Sequence, residues 1–223
     1  MSGRDVVTDL VTRLGDLDVC CVSDALDALG LPGAVHGIRP VWEGARLVGR
    51  VRTVALAEGV PPADAPPVHL GARAIEASKP GDVIVVDNGG RTGMGGWGGL
   101  LSLAASLRGV AGVVVDGACR DVDEARDMRF PAFARAPVCS TARGRVYEVS
   151  SGDPVDIDGV RVEDGDIVMA DGSGVVFLAV ARAADVVERA EQIATKERAM
   201  QRALRAGAAV SDVLGGAYER MLQ

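Results

Sequence analysis

One stretch of the sequence joins a short apolar run to charged residues that could bind a ligand. Residues 112–126 read GVVVDGACRDVDEAR. The β-branched first part predicts a buried strand that ends at Asp116. The second part predicts the start of a helix, on which Arg120 and Glu124 would project from one face with Asp121 beside them. A cation and two carboxylates at the end of a strand are a common way for α/β folds to build a site.

The same residues also have a purely structural interpretation. Asp121 could cap the helix, and Arg120 and Glu124 could form an ion pair on its solvent-exposed face. Short motifs of this kind often match by chance, so these residues taken alone support both interpretations equally.

Composition restricts the classes to which the chain can belong. Its 223 residues suit one domain with a sizeable core, and because only 3% are aromatic, aliphatic residues must fill that core. The net charge of −7 argues against a nucleic-acid surface, which needs clustered Lys and Arg. A basic protein partner, or a small anion held by a few local cations, is compatible with this charge.

The cysteine, histidine and hydropathy patterns argue against several further classes. The two histidines, His36 and His69, and the four cysteines lack the spacing of a zinc site or a disulfide framework. No apolar run approaches the roughly 20 residues that cross a bilayer. The N-terminal segment is too acidic for a secretion signal. We therefore expect a cytoplasmic protein with reduced cysteines. These are Cys20, Cys21, Cys119 and Cys139.

Turn signals and periodicity predict the elements that position the charged residues. Residues 82–87 (DVIVVD) and 112–116 (GVVVD) are similar strands, separated by a glycine-rich loop over 89–99 and a helix over 100–107. This order is a βαβ unit with parallel strands. The predicted fold is one α/β domain over residues 1–223, with a mixed sheet and helices at both ends.

The remaining elements follow from the same signals. Further helices are predicted over 5–14, 23–29 with Ser23 as N-cap, 68–77, 183–204 and about 212–218 with Ser211 as N-cap. Further strands are predicted over 47–57, 130–134, 155–157, 160–162, 166–170 and 175–179. The long C-terminal helix carries apolar residues that need covering, which predicts a subunit interface. These are Val186, Val187, Ala190 and Ile193.

The glycine-rich loop has two functional interpretations. Gly93, Gly95 and Gly98 form G-x-G-x-x-G between a strand and a helix, which is typical of dinucleotide binding. That interpretation is weak, because the first glycine does not directly follow the strand. Alternatively, the amides of Leu100 and Leu101 at the start of the helix could hold a small carboxylate.

The spacing of the charged residues resembles a known family. Gly99, twenty residues, Arg120-Asp121, two residues and Glu124 give G-x20-R-D-x2-E. With SDALDALG, GDVIVVDNGG, WGGLLSLAA and FPAFARA, the chain resembles the family of regulator of ribonuclease activity A and the class II 4-hydroxy-4-methyl-2-oxoglutarate / 4-carboxy-4-hydroxy-2-oxoadipate aldolases. The resemblance implies an α/β/β sandwich resembling the phosphohistidine swivelling domain. It also implies trimers or hexamers with sites between subunits, and we expect the helices over about 183–220 in the interface.

The resemblance further implies a divalent metal, usually Mg²⁺ or Mn²⁺. Carried over by position, Asp121 would be the metal ligand, Arg120 would bind the pyruvyl oxygen and Glu124 would act in the outer shell. A 2-oxo acid held in this way would lose its C3 substituent through an enolate that the metal and Arg120 stabilise. Retro-aldol cleavage and oxaloacetate decarboxylation both produce that enolate.

The remaining site residues carried over from the family bind the substrate carboxylate or donate protons. The amides of Leu100 and Leu101, preceded by Gly98 and Gly99, would bind the carboxylate. Many aldolases of the family have an acid at the position of Gly99, so the glycine leaves the natural substrate open. Glu197, on the C-terminal helix, could reach the site of a neighbouring subunit.

Two classes of function are compatible with the sequence. The first is a metal-dependent lyase that acts on a small 2-oxo acid, and the retained Arg120, Asp121 and Glu124 favour it. The second is a non-catalytic module that binds a ribonuclease, which an acidic protein suits if the partner is basic.

Overall fold

A computed structural model describes residues 3–63 and 69–215, with helices near both ends and strands that alternate with helices only in the middle. In these ranges the helices are α1 (Gly3–Leu14), α2 (Val19–Ala28), α3 (Ala72–Ala77), α4 (Gly99–Leu107), α5 (Val122–Asp127), α6 (Ala183–Arg205) and α7 (Val210–Val213). The strands are β1 (Ala34–Val35), β2 (Arg39–Pro40), β3 (Leu47–Glu58), β4 (Asp82–Trp97), β5 (Gly112–Cys119), β6 (Ala132–Pro137), β7 (Val146–Ser151), β8 (Val155–Ile157), β9 (Val160–Val162), β10 (Ile167–Asp171) and β11 (Gly174–Leu178). No helix in the described ranges is long and apolar enough to cross a membrane.

One mixed sheet organises the described part of the chain. Its strand order is β1-β11-β10-β3-β4-β5-β6-β2, with β7 beside β3, while β8 and β9 pair separately. Strands β3, β4, β5 and β6 are parallel neighbours, and β10 and β11 are antiparallel to their neighbours. Because β4 and β5 pair directly, the βαβ unit predicted from the sequence is confirmed.

The sheet curls strongly, so that β11 and β2 come into contact although they lie near opposite ends of the strand order. Its inner face is one aliphatic core, to which Val85 and Val114 contribute from one half and Val168 and Phe177 from the other. Helices α1, α2 and α6 cover the outer face of one half, and α3, α4 and α5 cover the other. The predicted α/β fold with a mixed sheet and flanking helices is confirmed.

Several predicted helix boundaries are wrong. Helix α2 begins at Val19 rather than after Ser23, because the carboxylate of Asp18 accepts the amide of Cys21 at 2.8 Å and caps an additional turn. Helix α7 begins at Val210, so Ser211 lies inside it and does not cap it. Its predicted end lies outside the described residues.

The segment before α3 also differs from the prediction. The helix expected over 68–77 begins only at Ala72, because Gly71 adopts a left-handed conformation with φ of 77°. His69 therefore lies before the helix rather than within it. Residue 68 itself lies outside the described residues.

The glycine-rich region is strand rather than loop. Strand β4 continues to Trp97 through shifts in register. Trp97, its last residue, pairs with Cys119, the last residue of β5. Gly89 and Gly90 allow the irregular course with φ of 57° and 70°. The side-chain amide of Asn88 supports it by donating to the carbonyls of Arg91 and Met94.

Helix α6 buries its apolar face within its own chain. The apolar residues that predict a subunit interface on this helix are fully buried against α2 and the sheet. They are Val186, Val187, Ala190 and Ile193. An interface at the C-terminal helices stays a prediction, but these residues give no reason for it.

Candidate active site

The candidate site forms where β4 and β5 end side by side. The amide of Arg120 donates to the carbonyl of Trp97 at 3.0 Å, so the segments that follow β4 and β5 leave the sheet side by side. One leads through Gly98 into α4, and the other leads through Asp121 into α5. The parallel pairing therefore brings the glycines and the charged residues to one edge, as the sequence predicts.

Asp121 joins two helices instead of capping its own. It occupies the N-cap position of α5 in a left-handed conformation, with φ of 57°, and its side chain caps no amide of that helix. Its Oδ2 accepts the amide of Gly99 at 2.9 Å and lies 3.2 Å from Nε of Arg120. The interpretation of Asp121 as a cap of α5 is therefore wrong.

Arg120 and Glu124 do not share a helix face. Helix α5 begins at Val122, so Arg120 belongs to the turn before it, and the predicted ion pair with Glu124 is absent among the described residues. Of the three guanidinium nitrogens of Arg120, only Nε has a partner in that part of the chain, which is Asp121. Both Nη groups are available to a ligand.

Gly98 and Gly99 make room for the charged side chains of the site. A Cβ at Gly98 would lie 2.9 Å from Oδ2 of Asp121 and 3.0 Å from Cγ of Arg120. A Cβ at Gly99 would overlap Oε2 of Glu124. The carboxylate of Glu124 therefore fills the space in which a side chain at position 99 would begin.

The N-terminus of α4 points free amides at the same place. The first hydrogen bond of the helix runs from the amide of Ser102 to the carbonyl of Gly98 at 3.0 Å, so the amides of Leu100 and Leu101 precede it. The amide of Gly99 is already used by Asp121. Free amides at the positive end of a helix are suited to binding a carboxylate.

Two cavities meet at Arg120 and Asp121. The first has a volume of about 210 Å³, and Gly95, Trp97, the Gly98–Leu101 segment and the 141–143 turn line it. The second, of about 490 Å³, is more open and lies against Val122–Glu124 and Pro137–Cys139. The first cavity is the size of a small organic acid, and the second could admit solvent to the same carboxylate.

The wall of the first cavity includes residues that sequence reasoning missed. Thr141 and Arg143 come from the turn before β7, and His69 comes from the segment before α3. Nothing in the local sequence marks them, because the fold alone brings these segments to the site. The buried carboxylate of Glu148 holds the latter segment in place by accepting the amide of Gly71 at 2.5 Å.

Charge and burial restrict the chemistry of the cavity. Burial, followed by the nearby charge of Asp121, raises the pKa of the Cys119 thiol to about 12, so that it stays protonated and is no nucleophile at neutral pH. No group of three or more His, Cys, Asp and Glu side chains in the described ranges could hold a metal ion. A metal at this edge would therefore depend on one or two carboxylates and solvent.

Glu197 lies on a different part of the surface. The thiol of Cys21, on α2, donates to Oε2 of Glu197 at 3.2 Å. Glu197 lines neither of the two cavities. A contribution from Glu197 would have to come from a second copy of the chain.

The dinucleotide interpretation loses its structural basis. Gly93 and Gly95 belong to the irregular strand β4 rather than to a turn between strand and helix, and Gly95 packs against the side chain of Arg120. The turn geometry that the motif requires is not formed.

Comparison with known proteins identifies the family. Residues 19–177 match the RraA-like family, described as Aldolase/RraA, and the chain belongs to it. Protein DlpA of Legionella pneumophila is 31% identical over 91% of this chain, which spans only 33% of DlpA. A protein of Halalkalibacterium halodurans named "Putative 4-hydroxy-4-methyl-2-oxoglutarate aldolase" is 30% identical over 88% of this chain and 89% of its own length.

A solved structure agrees with the fold. RraAS2 of Streptomyces coelicolor, described as an unusual member of the RNase ES inhibitor RraA protein family, superposes with a TM-score of 0.76 at 26% identity. The match covers 86% of this chain and 96% of RraAS2. Relatives named for an aldolase and for an inhibitor thus share one fold.

Proposed function

We propose that this chain is a divalent-metal-dependent C–C lyase that releases pyruvate from a small 2-oxo acid. The observation that carries the proposal is the meeting of Arg120, Asp121 and the free amides of α4 at one cavity. The name of the Halalkalibacterium relative supports the same class of reaction. Retro-aldol cleavage of 4-hydroxy-4-methyl-2-oxoglutarate and decarboxylation of oxaloacetate are the two reactions to be tested.

The carboxylates of the site suit Mg²⁺ or Mn²⁺. Asp121 would hold the ion directly, and Glu124, whose carboxylate lies beside Gly99, would accept hydrogen bonds from its waters. Hard cations prefer oxygen ligands, and Mg²⁺ keeps several waters, so one protein carboxylate can suffice. When bound, the ion supplies Lewis-acid polarisation of the 2-oxo group.

The protein side chains would orient the substrate and stabilise its developing charge. The amides of Leu100 and Leu101 would bind the carboxylate of the 2-oxo acid at the start of α4. The free Nη groups of Arg120 would donate to the 2-oxo oxygen as negative charge develops there. Asp121 contacts the Arg120 side chain through Nε, so the pair itself does not use the Nη groups.

A pyruvate-release assay tests the proposal. Purified protein is given oxaloacetate or 4-hydroxy-4-methyl-2-oxoglutarate in the presence of Mg²⁺, Mn²⁺ or EDTA. We expect pyruvate from at least one substrate, loss of activity in EDTA and recovery when Mg²⁺ or Mn²⁺ is added. Activity that EDTA leaves unchanged, or no pyruvate from either substrate, would contradict the proposal.

We also propose that the protein acts as a homo-oligomer, either a trimer or a hexamer. Three leucines of α4 form an exposed apolar stripe that begins at the cavity, with Leu100 exposed by 84% and Leu107 by 80%, and Leu103 between them. Such a stripe is typical of an interface. A neighbouring copy on this stripe would close the cavity and could supply Glu197. Light scattering that gives a monomer mass at micromolar concentration would contradict it.

The second candidate function is binding of a ribonuclease. The similarity to RraAS2 and the net charge of −7 support it, since an acidic surface suits a basic partner. Ribonuclease inhibition that survives Asp121→Ala, in protein that releases no pyruvate, would favour this function over the lyase.

A further inference from the structure

A second groove lies at the opposite end of the strands from the candidate active site. It has a volume of about 470 Å³ and is bounded by α1, by the Lys79–Asp82 turn that leads into β4, and by the loop before β10. It therefore lies at the start of β4, whereas the candidate active site lies beyond its end. Helix α1 and Val180 lie outside residues 19–177, which match the family, so part of the groove wall lies outside that match.

The two carboxylates of the groove share one arginine. Asp82 accepts Nε of Arg52 at 2.8 Å, and Asp164 accepts Nη1 of the same arginine at 2.7 Å. Backbone amides bind both carboxylates as well, from Lys79 to Asp82 at 2.9 Å and from Thr53 to Asp164 at 3.3 Å. Both carboxylates are therefore hydrogen-bonded, and the guanidinium of Arg52 offsets one of their two negative charges.

Two further cations of the groove lack such partners. Within the described residues, the side chains of Arg50 and Lys79 form no ion pair with any carboxylate. Arg50 is half-buried, and its Nη2 lies beside Gly165, where a Cβ would approach it to 3.3 Å. Among the described residues, Arg50, Lys79 and Arg52 exceed the two carboxylates of the groove by one positive charge.

The opposite wall of the groove is apolar. Val7 and Val11 project from consecutive turns of α1, and Val180 follows β11. A bound molecule would therefore place one end against cations and its body against aliphatic side chains.

We propose that this groove binds a small aliphatic monocarboxylate. A single excess positive charge suits one carboxylate, while the nearby Asp82 and Asp164 disfavour the denser charge of phosphate. Arg50 supplies the planar donor pair that a carboxylate prefers. The valines bind the aliphatic chain, which distinguishes the ligand from acetate or another bare anion.

Calorimetric titration of the full-length protein tests the proposal. The probes are sodium hexanoate, sodium acetate, 1-hexanol and inorganic phosphate. We expect saturable binding of hexanoate in about the millimolar range and at least tenfold weaker binding of the other three. Equal binding of hexanoate and hexanol, tighter binding of phosphate, or no saturation by hexanoate would overturn it.

Variants locate the binding in the groove. Arg50→Gln is expected to weaken hexanoate binding about tenfold or more. Lys79→Glu, at an exposed position that does not endanger folding, is expected to weaken it as well. Arg126→Gln is the matched control, because Arg126 is exposed and pairs with Asp123 on α5, at the opposite end of the strands from the groove. Binding that survives Lys79→Glu unchanged, or that Arg126→Gln weakens equally, would overturn the proposal.

Discussion

Strand β5 and the turn after it carry two aspartates, Asp116 and Asp121, whose pairs with arginine differ in almost every physical respect. In the closed pair, Asp116 is bound by Arg135, whose other nitrogens reach the carbonyl of His36 at 3.2 Å and Asp158 at 3.1 Å. In the open pair, Asp121 is bound by Arg120 through Nε alone. The side chain of Asp116 is 6% exposed, whereas that of Asp121 is 31% exposed.

The difference separates a pair that supports the fold from one that is available to a ligand. Arg135 uses all three of its nitrogens on the protein and joins β6, β5 and the β8–β9 turn. Within residues 3–63 and 69–215, Arg120 leaves both Nη groups without a partner, and Asp121 lines two cavities. The same two residue types thus have opposite roles, and the number of unused donors distinguishes them better than residue type does.

The largest expected effect is on catalysis at the open pair. Asp121→Ala should reduce pyruvate release by more than about 100-fold, because it removes the proposed metal ligand and the residue that orients Arg120. The folded state should persist, since the Asp121 side chain is partly exposed. Steady-state rates with Mg²⁺, together with a circular dichroism spectrum, check both statements. A folded variant with nearly full activity would contradict the role of Asp121.

The closed pair should show the reverse pattern. Asp116→Ala leaves Arg135 with a buried donor unsatisfied, and we expect it to lower the free energy of unfolding by about 3 kcal/mol. Urea titration measures this loss. At low temperature, the protein that remains folded should keep most of its rate of pyruvate release. A stable Asp116→Ala protein that has lost its activity would place the closed pair in the catalytic machinery instead.

The order of elements could be predicted from the sequence because it depends on local patterns. The apolar runs 82–87 and 112–116 predict the strands, and their pairing follows from the rules for βαβ units. The partners of charged side chains could not be predicted in this way. Asp121 and Asp116 look equivalent in sequence, and Arg135 shows its role only once β6 lies beside β5.

The glycine residues show the same limit more sharply. The family resemblance predicts that Gly98 and Gly99 precede the amides that bind a carboxylate, and this stays a prediction. The structure adds that the two glycines make room for the side chains of Arg120, Asp121 and Glu124. A close contact between residues twenty-five positions apart, Gly99 and Glu124, depends on how two helices leave the sheet. No local pattern contains that information.

A double substitution tests whether Glu124 stands in for an acid at position 99. Gly99→Asp alone should reduce both activity and stability, because the new Cβ would overlap Oε2 of Glu124. In the Glu124→Ala background the same change should be tolerated. We expect a coupling of about 1–3 kcal/mol between the two sites, measured by a double-mutant cycle in urea. Additive effects would mean that the two positions do not compete for one space.

The smallest expected effect lies next to the closed pair and depends on pH. Burial raises the pKa of Asp87 above its ordinary value of 3.8, and the charges of Asp116 and Asp156 add to this, although the amide of Gly89 and the charge of Arg91 oppose it. Well below pH 3.8 the carboxyl group is protonated in both the folded and the unfolded state. As the pH rises, the unfolded state ionises first, so the free energy of unfolding falls until the raised pKa is passed.

Asp87→Asn should remove this fall while still accepting the amide of Gly89, which donates to Oδ1 at 2.8 Å. The urea midpoint of the variant should therefore exceed that of the unsubstituted protein at pH 7 and approach it near the ordinary pKa of 3.8. Asp153→Asn, at an exposed turn, is the matched control and should leave the urea midpoint unchanged both at pH 7 and near pH 3.8. A variant that is less stable at pH 7 would mean that the Asp87 charge contributes favourably to the closed pair, for instance through Arg91. The surroundings of the closed pair would then resemble the open pair in depending on an ionised carboxylate.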